Sequence, residues 1–316
     1  MEKVLAGYVG RLAPSPTGAL HLGNARTFMI AYLRARSAGG KVILRIEDLD
    51  HPRDKQGAAA QAVEDLKWLG FDWDEMYVQS ERKSIYREAL ALLPVYPCVC
   101  SRRDVENAQS APHEGEQLFY SGTCRGRFGS WDEAAAFAGR TPCWRYRVEP
   151  DTVVEFNDVF AGVQRRNVSA ELGDFPIARD AFGAGYTLAA TVDDVLMGVT
   201  EVVRGDDLLP ATPPQMMIAE KIRPWAASLC APGRDCGEIR YCHVPLVVGP
   251  DGRRLAKRHG DTRIASYRAA GLTSEELIGR LASSCGLCSA GQKLSLKELV
   301  GGFSLERIPH EPVVMI

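Results

Sequence analysis

Two stretches far apart in this 316-residue chain carry residues suited to phosphate chemistry. The first runs Gly10-Arg11-Leu12-Ala13-Pro14-Ser15-Pro16-Thr17-Gly18-Ala19-Leu20-His21-Leu22-Gly23-Asn24. It reads as an apolar strand, a loop of small and rigid residues, and the start of a helix. Such a loop lets backbone approach a phosphate, and the helix start presents unpaired N–H groups and a positive dipole end to an anion. Arg11, at the end of the strand, supplies a planar fork suited to a carboxylate. The second stretch is Arg253-Arg254-Leu255-Ala256-Lys257-Arg258-His259-Gly260, directly after a Gly249-Pro250-Asp251-Gly252 turn. Lys257 is a flexible point charge able to follow a triphosphate as its charge shifts. A basic turn alone is as often a solvated surface as a site; its pairing with the first stretch favours the site.

A third constellation is Cys98-Val99-Cys100 followed by Tyr120 and Cys124. Three thiolates and one oxygen or nitrogen donor can close a tetrahedral zinc site. A metal there would order the long polar loop 101–119, which has little core of its own. On chemical grounds His113, inside that loop, is a fourth donor; buried free thiols are the plainer alternative. Cys285-Gly286-Leu287-Cys288 is a further pair, but Cys236 and Cys242 stand at no standard spacing from it, and it is assigned neither metal nor redox role.

The elements that must position these residues follow from periodicity and punctuation. Strands are expected at 4–12 and at 41–48, where β-branched residues end in Glu47 and Asp48. Helices are expected at 24–38, closed by Gly39-Gly40, at 54–69, and at 81–93, closed by Pro94. This alternation implies a parallel sheet covered by helices. From Tyr96 to about Asn167 the pattern changes to cysteines, arginines and short alternating strands (144–148, 153–156, 163–168), the mark of an inserted module. Its arginines, Arg125, Arg127, Arg145, Arg147, Arg165 and Arg166, either face an RNA backbone or form a solvated surface. Alternation then resumes: strands at 186–194 and 200–207, a helix at 213–222, a strand at 243–248, and helices at 273–281 and 295–300. The expected division is 1–95 and 171–260 as two halves of a Rossmann-like catalytic domain, 96–170 as the insert, and 261–316 as a helical segment. Ligands of open parallel sheets sit at the carboxyl ends of the strands, so Arg11, Glu47, Asp193 and Arg204 are expected to converge on one crevice.

Composition narrows the class. The net charge of −2 directs any nucleic acid to local basic patches. No apolar run reaches membrane-spanning length, and the N-terminus is too short and mixed for a signal peptide. Nine unevenly spaced cysteines suit a reducing compartment and a metal better than a disulfide framework. A cytoplasmic monomer is the expectation.

The segment His21-Leu22-Gly23-Asn24, preceded by Arg-x-Ala-Pro-Ser-Pro-Thr-Gly, resembles the HIGH signature of class I aminoacyl-tRNA synthetases in its glutamyl form. Arg254-Leu255-Ala256-Lys257-Arg258 resembles the KMSKS loop, with Ala256 where serine is usual. The resemblance spans about residues 10–260. It implies an ATP site at His21, Gly23, Asn24 and Lys257, and a glutamate pocket formed by Arg11, Ser15, Glu47, Tyr186 and Arg204. Two arginines would take the two carboxylates of glutamate and the acid its ammonium. Cys-x-Cys followed by Tyr-x-x-x-Cys resembles the zinc motif of glutamyl-Q tRNA(Asp) synthetases, which puts Cys98, Cys100, Tyr120 and Cys124 on one zinc ion. The short stretch after Gly260, too small for a further anticodon domain, is similar to the plan of that family. The resemblance then implies activation of glutamate by ATP, with magnesium, and transfer to the queuosine base of tRNA(Asp). A truncated glutamyl- or glutaminyl-tRNA synthetase acting on the tRNA 3′ end, and a non-catalytic RNA-binding paralogue, are the rivals; intact His21, Glu47 and Lys257 speak against the latter.

Overall fold

The computed structural model describes residues 7–16, 19–49, 57–108, 119–180, 183–230, 234, 236–253, 255 and 261–315. Lys257 and His113 lie outside them.

The first half is strand and helix in alternation. Strand β1 (Val9–Leu12) leads into helix α1 (Leu22–Ser37), followed by β2 (Lys41–Ile46), α2 (Ala58–Trp68), β3 (Glu75–Val78) and α3 (Lys83–Leu90). The three strands are parallel, with β2 between β1 and β3. Helix α1 buries Ala25, Met29, Ile30 and Leu33, so apolar side chains recur at helical spacing on the face that covers the sheet. At the α1–β2 turn Gly40 is obligatory, because a Cβ there would stand 2.5 Å from the Tyr8 carbonyl oxygen.

The insert begins at β4 (Val95–Cys98) and continues through α4 (Arg102–Ala108), α5 (Trp131–Ala138), β5 (Cys143–Tyr146), β6 (Val153–Asp158), β7 (Gly162–Asn167), α6 (Val168–Glu171) and β8 (Phe175–Ala178). Strands β4, β5 and β8 form an antiparallel sheet, and β6 and β7 a hairpin. The side chains around the cysteine motif form a small core of their own, with Tyr96, Val99, Val105 and Ala134.

The chain then returns through α7 (Tyr186–Leu196), β9 (Glu201–Gly205), α8 (Thr212–Ala227), β10 (Arg240–Val244) and β11 (Val247–Val248). Strand β9 runs parallel to β10 and lies beside β1, where the Thr200 amide donates to the Val9 carbonyl at 2.9 Å. Residues 186–194, expected as a strand, are helical. Their run of Leu, Ala and Val is buried along its length, and such a run has no periodicity to separate a buried strand from a buried helix.

Helices α9 (Ile264–Ala269), α10 (Ser274–Ser284) and α11 (Leu296–Val300) and the short strand β12 (Val313–Val314) complete the fold. Thr273 with Glu276, and Ser295 with Glu298, form capping boxes that start α10 and α11. Leu277, Ile278 and Leu281 are fully buried in the same core as α1, each contributing about 2 kcal/mol by removal from water. Strand β12 pairs in parallel with β11.

Cys230 and Cys236 form a disulfide, a pairing that the reading of the cysteines as better suited to a reducing compartment and a metal did not include. Cys285 is buried, and the Cys288 thiol donates to the Gly279 carbonyl at 3.4 Å.

Candidate active site

The helix start of the first phosphate-suited stretch meets the residues that follow the second. His21 is the N-cap of α1, its ring Nδ1 accepting from the Asn24 amide at 3.4 Å; the helix therefore starts two residues before the expected position. Gly23 leaves room for that ring, since a Cβ would stand 3.2 Å from it. On the other side of the cation-rich stretch, the Leu22 amide donates to the Thr262 carbonyl (3.0 Å) and the Ile264 amide to the Leu20 carbonyl (2.8 Å). Backbone pairing thus fixes residues 262–264 against the helix start.

Between these segments lies a cavity of about 490 Å³ at the carboxyl ends of β1, β2 and β9. Arg11, Ser15, His21, Gly23, Asn24, Glu47, Tyr186, Arg204 and Leu255 all line it. Every residue expected in the glutamate pocket is therefore there, and so is each described residue of the expected ATP set. Tyr186 comes from the first turn of a helix and not from a strand. Asp193 does not reach the cavity. It sits behind it on α7, fully buried, and accepts from Arg82 Nε (2.7 Å), Tyr86 Oη (2.8 Å) and Gln79 Nε2 (3.1 Å).

Arg11, Arg204 and Glu47 are each held by buried partners. The Arg11 Nη1 donates to the Val203 carbonyl at 3.0 Å; its Nε stands 3.6 Å from Asp194 and has no hydrogen-bond partner. Burial lowers its pKa, with Asp194 opposing. Arg204 gives Nε to His243 Nε2 (2.9 Å) and Nη2 to Thr212 Oγ1 (2.8 Å), while its Nη1 is buried without a partner. Glu47 is buried, and burial raises its pKa against the pull of Arg45 and Arg11. Its Oε1 accepts from Arg45 Nη2 at 2.9 Å and its Oε2 from Ser15 at 3.4 Å. The fully buried Arg45 also donates to Asp194 at 2.6 Å and stays charged, because Asp194, Glu47 and Asp193 together outweigh its desolvation. Sequence reading missed Arg45, Asp158 and His243. Arg45 was legible as the partner two residues before Glu47 on the same strand face; Asp158 and His243 gave no local signal.

The residues of the cysteine motif lie together. The sulfurs of Cys98, Cys100 and Cys124 lie within 4.8 Å of one another. Cys100 and Cys124 are 3.6 Å apart, and the Tyr120 hydroxyl stands 3.3 Å from Cys98 and 3.7 Å from Cys100. A tetrahedron with zinc–sulfur bonds of about 2.3 Å has edges of about 3.8 Å, so these donors fit one ion. Cys143, opposite Cys98 on the neighbouring strand, donates to the Cys98 sulfur and is the first cause holding that thiol down near about 4. Burial pushes Cys100 up to about 12. Arg145 donates to Cys98 at 3.2 Å and stacks its guanidinium 3.7 Å from the centre of the Tyr120 ring.

Arg145 is thus a buried part of this cluster and faces no RNA. Arg125 is tied to Asp174. Arg147, Arg165 and Arg166 pair with Glu149, Glu155 and Glu171, and Arg127 lies 4.4 Å from the centre of the Phe137 ring. Of these six arginines, four pair with carboxylates, one with a sulfur, and one lies over an aromatic ring.

The parallel strands, the cavity at their carboxyl ends and the phosphate loop opening a helix define a class I synthetase catalytic domain. Residues 8–294 match the family described as tRNA synthetases class I (E and Q), catalytic domain, and the chain belongs to that family. It is 46% identical to a protein of Symbiobacterium thermophilum named glutamyl-Q tRNA(Asp) synthetase, over 96% of this chain and 94% of the relative. It is 43% identical to a protein of the same name from Rhodopirellula baltica, over 99% of this chain and 98% of the relative. Among solved structures, the glutamate-tRNA synthetase of Elizabethkingia anophelis superposes with a TM-score of 0.78 at 25% identity, covering 98% of this chain but 68% of the other.

Proposed function

We propose that this protein activates L-glutamate with ATP and transfers the glutamyl group to the queuosine base at the wobble position of tRNA(Asp). The observation that carries the first step is the convergence of Arg11, Arg204 and the buried Glu47 on the wall of one cavity. Two fixed cations and one anion match a diacid with one ammonium group. The identities of 46% and 43% to relatives named glutamyl-Q tRNA(Asp) synthetase support the second step.

In this reading Arg11 and Arg204 bind the carboxylates, Glu47 and Ser15 the ammonium, and Tyr186 closes the wall. An oxygen of the glutamate α-carboxylate attacks the α-phosphorus of ATP, and pyrophosphate leaves with the electron pair of the broken P–O bond. His21 and the start of α1 at Gly23 and Asn24, with Lys257 from the cation-rich loop, stabilise the charge that builds on the phosphates. Magnesium travels with the nucleotide. The enzyme supplies no covalent nucleophile, so orientation is its main contribution. Cys98, Cys100, Cys124 and Tyr120 would hold a structural zinc ion, which ties β4 to the loop that follows it. We further propose that the protein acts in the cytoplasm as a monomer.

The test is transfer of labelled glutamate to tRNA(Asp) with and without queuosine, beside tRNA(Glu). Label is expected only on queuosine-bearing tRNA(Asp). Label on tRNA(Glu) instead would make the protein a 3′-end synthetase and overturn the reading.

A further inference from the structure

Behind Arg204 a second set of buried residues, drawn from two other parts of the chain, fixes how that arginine lies. His243, on β10, stands opposite Arg204 in the β9–β10 register. Its Nε2 is 2.9 Å from Arg204 Nε and 3.2 Å from the Thr212 hydroxyl. Its Nδ1 is 2.6 Å from Asp158 Oδ2, and its backbone amide donates to Asp158 Oδ1 at 3.1 Å. Asp158 ends strand β6 of the insert, and its Oδ1 also accepts the amides of Phe160 (3.0 Å) and Ala161 (2.8 Å). Both side chains are fully buried.

Arg204 Nε–H can only donate, so Nε2 of the imidazole must be its acceptor. That forces the remaining ring proton onto Nδ1, where Asp158 accepts it. One carboxylate, two shells from the cavity, therefore sets the tautomer of His243. The tautomer sets the acceptor for Arg204, a residue that lines the cavity.

We infer that Asp158 and His243 are positioning residues that hold Arg204 in its carboxylate-binding orientation, and that this requires His243 to be neutral. The inference rests on the reading of Arg204 as a glutamate ligand. A protonated ring would turn an N–H toward the guanidinium and drive Arg204 out of place. The groups facing His243 are Asp158 from the hairpin, Arg204 from β9, Thr212 from α8, Tyr241 stacked 6.2 Å away on its own strand, and Arg11 from β1 as a more distant charge. Burial pushes the His243 pKa down and the two arginines add to it, against Asp158. The ring is therefore uncharged at neutral pH and charges only in acid, below its ordinary range.

The experiment is glutamate-dependent ATP–pyrophosphate exchange on the full chain with Arg204→Ala, His243→Gln, His243→Phe and Asp158→Asn. Arg204→Ala must first raise the KM for glutamate; if it does not, the pocket assignment itself fails. Given that effect, His243→Phe and Asp158→Asn are expected to raise the glutamate KM about tenfold or more, the loss of a hydrogen bond to a charged group, with the ATP KM within twofold of wild type. Asp158→Asn keeps the acceptor Oδ1 and the shape, and presents an amide to Nδ1, so it tests the tautomer even where the phenylalanine variant fails to fold. His243→Gln, which restores an acceptor near Nε2, is expected to recover most of the affinity. In the wild type the glutamate KM should climb as the pH falls below the ordinary histidine range, and with His243→Gln this climb should flatten, leaving only what Glu47 contributes. Glutamate KM values within twofold of wild type for both His243→Phe and Asp158→Asn, or a pH climb identical with and without His243, would overturn the relay while leaving the pocket assignment intact.

Discussion

Glu47 has to remain an anion in a site that burial makes hostile to charge. Desolvation raises its pKa, and Arg45 and Arg11 pull it back. Its Oε1 is taken by Arg45, while Oε2 has only a long contact with Ser15 and keeps room for a cationic group. Glu47→Gln preserves shape and removes the charge, so the glutamate KM should rise by about tenfold to a hundredfold, the worth of a charge-assisted hydrogen bond, with the ATP KM unchanged in pyrophosphate exchange. The sign with pH follows from the upward shift. A carboxylate whose folded pKa is raised stays protonated to a higher pH, so ammonium binding is lost on acidification earlier than an ordinary glutamate would predict. The loss should be absent in Glu47→Gln. At the same scale, Lys257→Ala should lower the rate of adenylate formation by about a hundredfold or more, as loss of a charge acting on the transition state does. Glutamate affinity, measured by calorimetry, should be unaffected.

The strand-end pattern was readable at the level of elements because three of its four members, Arg11, Glu47 and Arg204, sit where strands run out of apolar residues. It failed at Asp193 because the run ending there is a buried helix, and burial on every side erases the period that separates the two states. Strands β3 and β8 were missed for the same lack of signal: each is four residues long, and pairing decides its conformation. Nor could the sequence show that β12, at the far end of the chain, pairs with β11. The Val313 amide donates to the Leu246 carbonyl at 3.1 Å and the Met315 amide to the Val248 carbonyl at 3.2 Å. Leu246 and Val247 line the cavity, and the cation-rich loop begins a few residues later. Two backbone hydrogen bonds of ~1 kcal/mol each therefore steady the root of that loop. Removing residues 310–316 should raise the ATP KM several-fold and leave the glutamate KM near wild type. Equal effects on both would mean that the tail serves general stability alone.

Across the whole molecule, three cores divide the labour. The helices after residue 260 share a core with α1, α7 and α8 pack with the β9–β10 side, and the cysteine module has a small cluster apart from both. A cluster of that size cannot hold β4 to residues 119–124 by burial alone; three thiols and a phenol converging within bonding range of one point supply the rest when a metal is bound. The catalytic cavity draws no wall from this cluster. Removing zinc with a strong chelator should therefore release about one ion per chain, set by a single tetrahedral site, and produce a separate low-temperature transition in calorimetry. Glutamate-dependent pyrophosphate exchange should persist while transfer to tRNA falls, because the module stands apart from the adenylate chemistry but within reach of a large ligand. Cys100→Ser should behave like the chelated protein and should not respond to added zinc. If exchange and transfer decline together, with one cooperative transition, the metal supports the fold as a whole. The path from the module to the cavity would then run through the β6–β7 hairpin, whose Asp158 holds His243.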